Sequence, residues 1–336
     1  MTHTPRVSIV MSTYNGEKFI RQQLNSLIAQ HYSNWCLSIR DDGSSDATLA
    51  IIAEYQKRDA RIRLMQDSHG NMGPARSFMH LLAQVESPIF MCCDQDDVWL
   101  PHKVGEAVAR IGDDTATPRL FFTDLIVTDG DLGTIAKSFM AFQKFDPLRA
   151  KSFKGLLLQN IVVGCTMAGN SALLALLRQA QTHNRHEMLM HDWWFALLAS
   201  AFGTIEYSST PSILYRQHGG NSLGAPGSNL SRYITMLWNS KPWKRASVYI
   251  CKVAAQSSSF RRAYGNSLTQ TNLAAIDKVT ALGSARSCLP LVRTFSAGIA
   301  MNGWLRNAAL LLSVCVHPAA WNAPLLPSPV STEDNA

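Results

Sequence analysis

Up to Pro101 the chain alternates short β-rich apolar runs with segments of helical spacing, and no other feature restricts the fold as much. Arg6–Ser12 (RVSIVMS) reads as a strand and ends in TYNG. Glu17–Gln30 carries apolar residues at 19, 20, 24, 27 and 28, the spacing of one helix face. Trp35 opens a second strand that stops in DDGSSD, and Thr48–Arg58 reads as a helix. IRLMQD is a third strand, NMGPARSFMHLLAQV a loop opening a helix, and PIFMCCD a fourth strand. This alternation implies a parallel α/β sheet with right-handed crossovers. Ligands of such sheets sit at the carboxyl ends of the strands. TYNG, DDGSSD and DQDD all fall there, so residues far apart in sequence are expected around one crevice.

The stretch FMCCDQDDVWLP gathers Asp94, Asp96 and Asp97 at the end of the fourth strand. Carboxylates this close repel one another unless something compensates. Oxygen ligands without Cys or His pairs favour Mg²⁺ or Mn²⁺ over zinc, and Mg²⁺ typically takes one or two carboxylates. Asp94 and Asp96 fit that demand. Asp97 has a second reading, as the cap of a helix over VWLPHKVGEAVARI. The seven cysteines are odd in number and lack any CxxC pair. They read as reduced thiols in a cytoplasmic protein.

The remaining chain is less regular. Arg119–Asp129 reads as a strand with a hairpin at TDGDLG, and NIVVGCTMAGN as an apolar run ending in small residues. LLALLRQA and HDWWFALLASAFG are helical, and SILYRQHGGNS is a strand entering a glycine-rich loop. SLGAPGSNLS reads as a linker. The division implied is a catalytic domain over 1–225, a helical basic region over 226–322 and a disordered tail over 323–336. Arg, Lys and Trp punctuate the later helices, and the net charge is +7. That excess points to an anionic partner, a nucleotide or an acidic membrane surface. No nucleic-acid recognition motif accompanies it. The longest apolar stretch, around NAALLLSVCV, is about half the ~20 residues of a membrane span. The N-terminus enters a strand pattern at once, unlike a signal peptide.

VSIVMSTYNGEKFIRQQLNSLIAQHY, IRDDGSSDAT, NMGPARSF and FMCCDQDDVWLPHK together resemble the N-terminal half of family 2 glycosyltransferases, inverting enzymes of the GT-A fold. The resemblance continues through GCTMAGN, HDWW and YRQHGGN, and so covers Val7 to Asn221. CDQDDVWLP and YRQHGGN look most like bacterial rhamnosyltransferases of O-antigen and capsule assembly. The fold implied is a Rossmann-like mixed sheet with helices on both faces, followed by the helical C-terminal region. The activity implied is transfer from a nucleotide-diphospho-sugar, dTDP-L-rhamnose foremost, to a saccharide or polyprenyl-diphosphate-linked acceptor. Alternatives are a UDP-hexose or UDP-N-acetylhexosamine donor, or a non-catalytic sugar-nucleotide-binding scaffold. Such an enzyme would work at the inner face of the cytoplasmic membrane.

Residue by residue, the resemblance implies the following roles. Ser12 and Tyr14 would line the base pocket, and Asp42 would accept the base N3–H. Asn71 would edge the nucleotide, and Arg76 would pair with the diphosphate. Asp94 would lie near the ribose, while Asp96 would bind Mg²⁺ or Mn²⁺ with His218 completing that site. Arg216 would be a further phosphate partner. Asp192 would be the general base; on the residues alone it also reads as a helix N-cap. Gly164, Cys165 and Thr166 would floor the donor-sugar pocket, and Trp193 or Trp194 would line the acceptor. Relatives often carry Glu-Asp where this chain has His191-Asp192, and Phe where it has Gly169.

Overall fold

Strand β1 (Val7–Thr13) lies between β2 (Trp35–Asp41) and β4 (Ile89–Cys93), both parallel to it. Its two faces are covered, which is why the sequence shows a continuous apolar run rather than alternation. The computed structural model describes residues 4–179, 188–218, 242–285 and 287–316. Helices α1 (Ile20–Ile28), α2 (Thr48–Arg58) and α3 (Pro74–Ala83) connect these strands with β3 (Ile62–Leu64). Helix α1 buries Ile20, Gln23, Leu24 and Leu27, one face at helical spacing. Helix α3 starts sharply because Gly73 takes φ +74° and Pro74 is pre-set for the first helical position.

After β5 (Val98–Trp99) and α4 (Lys103–Ile111) come β6 (Arg119–Thr123), β7 (Ile126–Thr128), β8 (Thr134–Ala136), α5 (Phe139–Gln143) and α6 (Phe153–Leu156). Then follow β9 (Met167–Asn170), α7 (Ser171–Gln179), α8 (His191–Phe202), β10 (Thr204–Ser208) and β11 (Ile213–Arg216). The main sheet has seven strands in the order β10-β6-β9-β4-β1-β2-β3. Only β9 runs against its neighbours, β4 and β6. A smaller sheet has the order β5-β11-β7-β8. The expected helix over VWLPHKVGEAVARI therefore begins late, at Lys103, with His102 at its N-cap. Val98 and Trp99 pair with β11 instead, and Pro101 keeps Leu100 out of helical geometry.

The main sheet separates two apolar layers, and successive strand residues alternate between them. Ile9, Met11, Met91 and Phe121 face α1, α2 and α4, contacting Leu24, Ile52 and Val104. Val10, Phe90 and Phe122 face α3, α7 and α8 through Phe78, Leu173 and Leu197. The second layer continues into α9 (Pro242–Tyr264), α10 (Gln270–Thr280), α11 (Leu289–Ser296) and α12 (Trp304–Val316). Ile250, Val253, Phe260 and Ile276 of these helices are fully buried. Each such side chain contributes roughly 1.5–3 kcal/mol. Their sum outweighs the two hydrogen bonds from Tyr249 to the Leu158 carbonyl and Tyr264 to the Leu176 carbonyl, about 1 kcal/mol each. The C-terminal helices are thus held by shared core. The boundary expected at residue 225 and the tail over 323–336 lie outside the described residues.

Candidate active site

Parallel register brings the polar clusters to one edge. Thr13 pairs with Asp41, and Met11 with Cys93, at the carboxyl ends of β1, β2 and β4. Because β9 is antiparallel, the turn that precedes it, Gly164–Thr166, sits on the same edge. The first turn of α8 meets it there: the Gly164 N–H donates to Asp192 Oδ2 at 3.0 Å. These elements border a cavity of about 910 Å³.

Ser12, Tyr14, Asp42, Asn71 and Gly73 line the end formed by β1, β2 and the loop before α3. Asp42 is buried, ion-paired to Arg40, and accepts the Met72 and Gly73 N–H groups at 2.7 Å each. Arg40 also donates to Asp67 Oδ2 and to the Gly70 carbonyl, both at 2.7 Å. Charge-assisted bonds of this kind are about twice as strong as neutral ones, so they fix the loop over Asp67–Gly73. The Tyr14 ring is 51% exposed, but its backbone is clamped. Its N–H donates to Gln95 Oε1 and its carbonyl accepts from Gln95 Nε2, both at 3.0 Å. A Cβ on Gly16 would overlap that Gln95 amide. This clamp joins TYNG to DQDD, and the sequence reading missed it.

The three aspartates have different surroundings. Asp94 is half-buried, and burial raises its pKa to about 7, with repulsion from Asp96 and Asp192 adding to it. Asp96 lines the cavity, and its Oδ2 lies 2.7 Å from His218 Nε2. Asp97 is fully buried and accepts the Arg216 N–H at 3.2 Å. Burial, then Asp96 and Asp94, push it well above the carboxylate range. It does not cap α4, which begins at Lys103.

Arg216 is buried behind this loop rather than in the cavity lining. It donates to the Asp96 carbonyl at 2.8 Å, and to the Gly130 carbonyl and Gln22 Oε1 at 2.5 Å each. Its guanidinium also stacks on Phe19, 4.5 Å from the ring centre. These bonds make Arg216 a brace for the Asp96 loop. Arg76 is exposed on α3, also outside the lining residues.

Among the described residues one group of three metal-type ligands comes together. Asp94, Asp97 and Cys165 bring ligand atoms within 4.8 Å of one another. Burial holds both the Cys165 thiol and Asp97 toward their protonated forms, and a thiol suits a soft ion. Asp96 Oδ2 and His218 Nε2, 2.7 Å apart, are a second pair, of the ligand types that a hard cation such as Mg²⁺ or Mn²⁺ accepts.

Asp192 is the second residue of α8 and 9% exposed. The N-cap position is Met190, so Asp192 is not the cap. Its Oδ1 accepts its neighbour's Trp193 N–H at 2.6 Å. Burial raises its pKa to about 7, against the opposing pull of the Trp193 and Gly164 N–H groups. His191 is buried and stacked on Phe78 with ring centres 4.2 Å apart. Burial lowers it to about 3, so it stays neutral where a Glu would bring charge. A Cβ on Gly164 would come within 2.9 Å of the His191 ring. Trp193 lines the cavity, and its indole N–H donates to the Leu156 carbonyl at 2.7 Å. Trp194 instead packs in the core against Phe260. Cys165 and Thr166 are sealed beneath the floor, and the Thr166 hydroxyl donates to the Val163 carbonyl at 2.7 Å. Gly169 lies within the sheet, where a Cβ would come close to the Phe90 ring, and does not reach the cavity. Phe139, Gln143, Phe145, Gln159, Tyr249 and Met301 also line the cavity, none of them anticipated from the sequence.

A mixed sheet of this order, with clustered carboxylates around a cavity at its carboxyl edge, is the GT-A architecture of nucleotide-diphospho-sugar transferases. S. aureus TarS residues 1–349, solved in complex with UDP-GlcNAc, shares the fold with a TM-score of 0.51 and 16% identity, over 92% of this chain and 91% of that one. Residues 8–174 match the model of Glycosyl transferase family 2, and through this domain the chain belongs to that family. The dTDP-rhamnosyl transferase RfbG of Shigella flexneri is 28% identical over 74% of this chain and 86% of its own length. The Escherichia coli UDP-Glc:alpha-D-GlcNAc-diphosphoundecaprenol beta-1,3-glucosyltransferase WfgD is 34% identical over 29% of this chain and 38% of its own.

Proposed function

We propose that the protein is a metal-dependent inverting glycosyltransferase that uses dTDP-L-rhamnose to extend a saccharide or polyprenyl-linked acceptor in surface polysaccharide assembly. The observation that carries this reading is the charge of the cavity. Asp42, Asp94, Asp96 and Asp192 line it, and no Lys or Arg does so among the described residues. A nucleoside diphosphate adds more negative charge to such a site. Arg40 and Arg216 stand behind the wall, already bonded to carboxylates, carbonyls and an amide. A divalent cation held by Asp96 and His218 would reconcile ligand and site. When bound, it supplies charge stabilisation for the departing nucleoside diphosphate. Asp192 takes the proton of the attacking hydroxyl, and inversion then needs no covalent enzyme intermediate.

The RfbG match supports rhamnose as the donor sugar. The names of WfgD and of the TarS complex support a second reading, transfer from UDP-glucose or UDP-N-acetylglucosamine. Among the described residues no helix is long and apolar enough to cross a membrane. We place the enzyme on an anionic membrane surface through the exposed apolar side of α12. The functional test is calorimetric titration of dTDP and UDP with and without Mn²⁺, beside turnover of dTDP-L-rhamnose, UDP-glucose and UDP-N-acetylglucosamine. Mn²⁺ should tighten nucleotide binding at least about tenfold in the wild type and not in Asp96→Ala. Superimposable curves with and without metal would remove the cation from the mechanism.

A further inference from the structure

Beyond Asp192 the cavity wall changes character. Phe139, Phe145, Trp193 and Tyr249 present rings there, Gln143 and Gln159 present amides, and no described residue of this wall is charged. The rings are held in place. The Tyr249 hydroxyl donates to the Leu158 carbonyl at 2.6 Å, and its ring lies 6.5 Å from that of Trp193 at an interplanar angle of 27°. Phe145 meets Phe139 edge-on at 5.9 Å. Arg306 sits 4.9 Å from the centre of the Phe145 ring and donates to the Gln143 carbonyl at 2.8 Å and the Asn302 carbonyl at 3.0 Å. Gln159 Oε1 accepts the Asn302 N–H at 2.7 Å, which leaves the amide nitrogen as the donor it offers. Tyr249 belongs to α9, and Met301, also at this wall, precedes α12. The C-terminal helices therefore supply part of the site.

A wall of fixed aromatic faces with a few amides matches the two surfaces of a pyranose, its C–H face and its hydroxyls. Among the described residues its lining offers no counter-charge, and Arg306 beside Phe145 already donates to the Gln143 and Asn302 carbonyls, so an anion placed against this wall would lose hydration without a lining partner. We propose that this wall is the acceptor subsite and that it takes a neutral, hydroxyl-rich sugar unit while rejecting one that bears a carboxylate or phosphate there. The inference rests on Asp192 acting as the base, since the attacking hydroxyl must then arrive from this side.

Saturation-transfer NMR on the full chain with Mn²⁺ and dTDP tests it. The probes are methyl glycosides of glucose, galactose, N-acetylglucosamine, rhamnose and glucuronic acid. At least one neutral glycoside should bind, with enhancement concentrated on the C–H protons of one ring face, and the glucuronide should not. Phe145→Ala should weaken that glycoside at least about fivefold, and Gln159→Ala about three- to tenfold, with dTDP affinity unchanged in both. Binding of the glucuronide as tight as the neutral probes would overturn the proposal. So would unaltered glycoside binding in both variants, or no neutral glycoside bound at all. A wild-type protein that binds neither dTDP nor UDP would instead overturn the functional reading, and this inference with it.

Discussion

Asp192 is a carboxylate held at the edge of ionisation, with two N–H donors favouring its charge and burial opposing it more strongly. As the base it has to be ionised, so transfer should rise with pH along a limb centred near 7. Asp192→Asn keeps an oxygen for the Gly164 N–H and removes the base. It should cost at least about 10²-fold in transfer and leave nucleotide binding intact, as read from steady-state rates beside dTDP calorimetry. Undiminished turnover in that variant would sink the assignment. The stability consequence runs the other way. A folded-state pKa above the ordinary Asp value means the favourable contribution is complete at low pH and is lost as pH rises through about 7. The thermal midpoint of the ligand-free protein should fall over that interval, and fall less in Asp192→Asn. HDWW made Asp192 visible in the sequence, where it also read as a cap. Only the fold shows the cap position to be Met190 and the carboxylate to face Gly164.

Two loops, TYNG and DQDD, behave as one element through the paired bonds between Gln95 and the Tyr14 backbone. Gly16→Ala should displace the Gln95 amide and lose both bonds, lowering stability by about 1–3 kcal/mol. The same change made on Gln95→Ala should add almost nothing, because the shared contact is already gone. Urea unfolding of the two single variants and the double variant measures this, and full additivity would show the clamp to be absent in solution. The sequence revealed that these loops share an edge, since hydrophobic periodicity places strand ends. It did not reveal the clamp, because one side chain bonded to a backbone 81 positions away leaves no periodic trace. The same limit explains β5. Val98 and Trp99 read as the start of a helix, and pairing with Leu214 and Ile213 makes them a strand instead.

For the whole molecule, the C-terminal helices bury one side in the common core and turn another outward. On α12, Trp304, Leu305 and Leu312 are 76%, 60% and 64% exposed, and their spacing puts them on one side of the helix. Leu289 and Val292 are exposed on α11, beside Arg293. An apolar stripe with Trp and nearby cations suits the boundary layer of an anionic bilayer. Leu305→Glu with Leu312→Glu should cut co-flotation with phosphatidylglycerol vesicles at least about fivefold with an unchanged thermal midpoint. Equal flotation would leave α12 no membrane role. The sequence showed this region as basic and helical, but not that Tyr249 and Met301 enter the cavity, since that depends on how distant helices dock. One more consequence follows from the antiparallel β9. Strands β6 and β10 join the sheet only through its four residues. During synthesis the wholly buried apolar strand β4 must wait with an open edge until Met167 and its successors emerge. The nascent chain is therefore open to intermolecular strand pairing along that edge until then, and β9 is the suture that ends that interval.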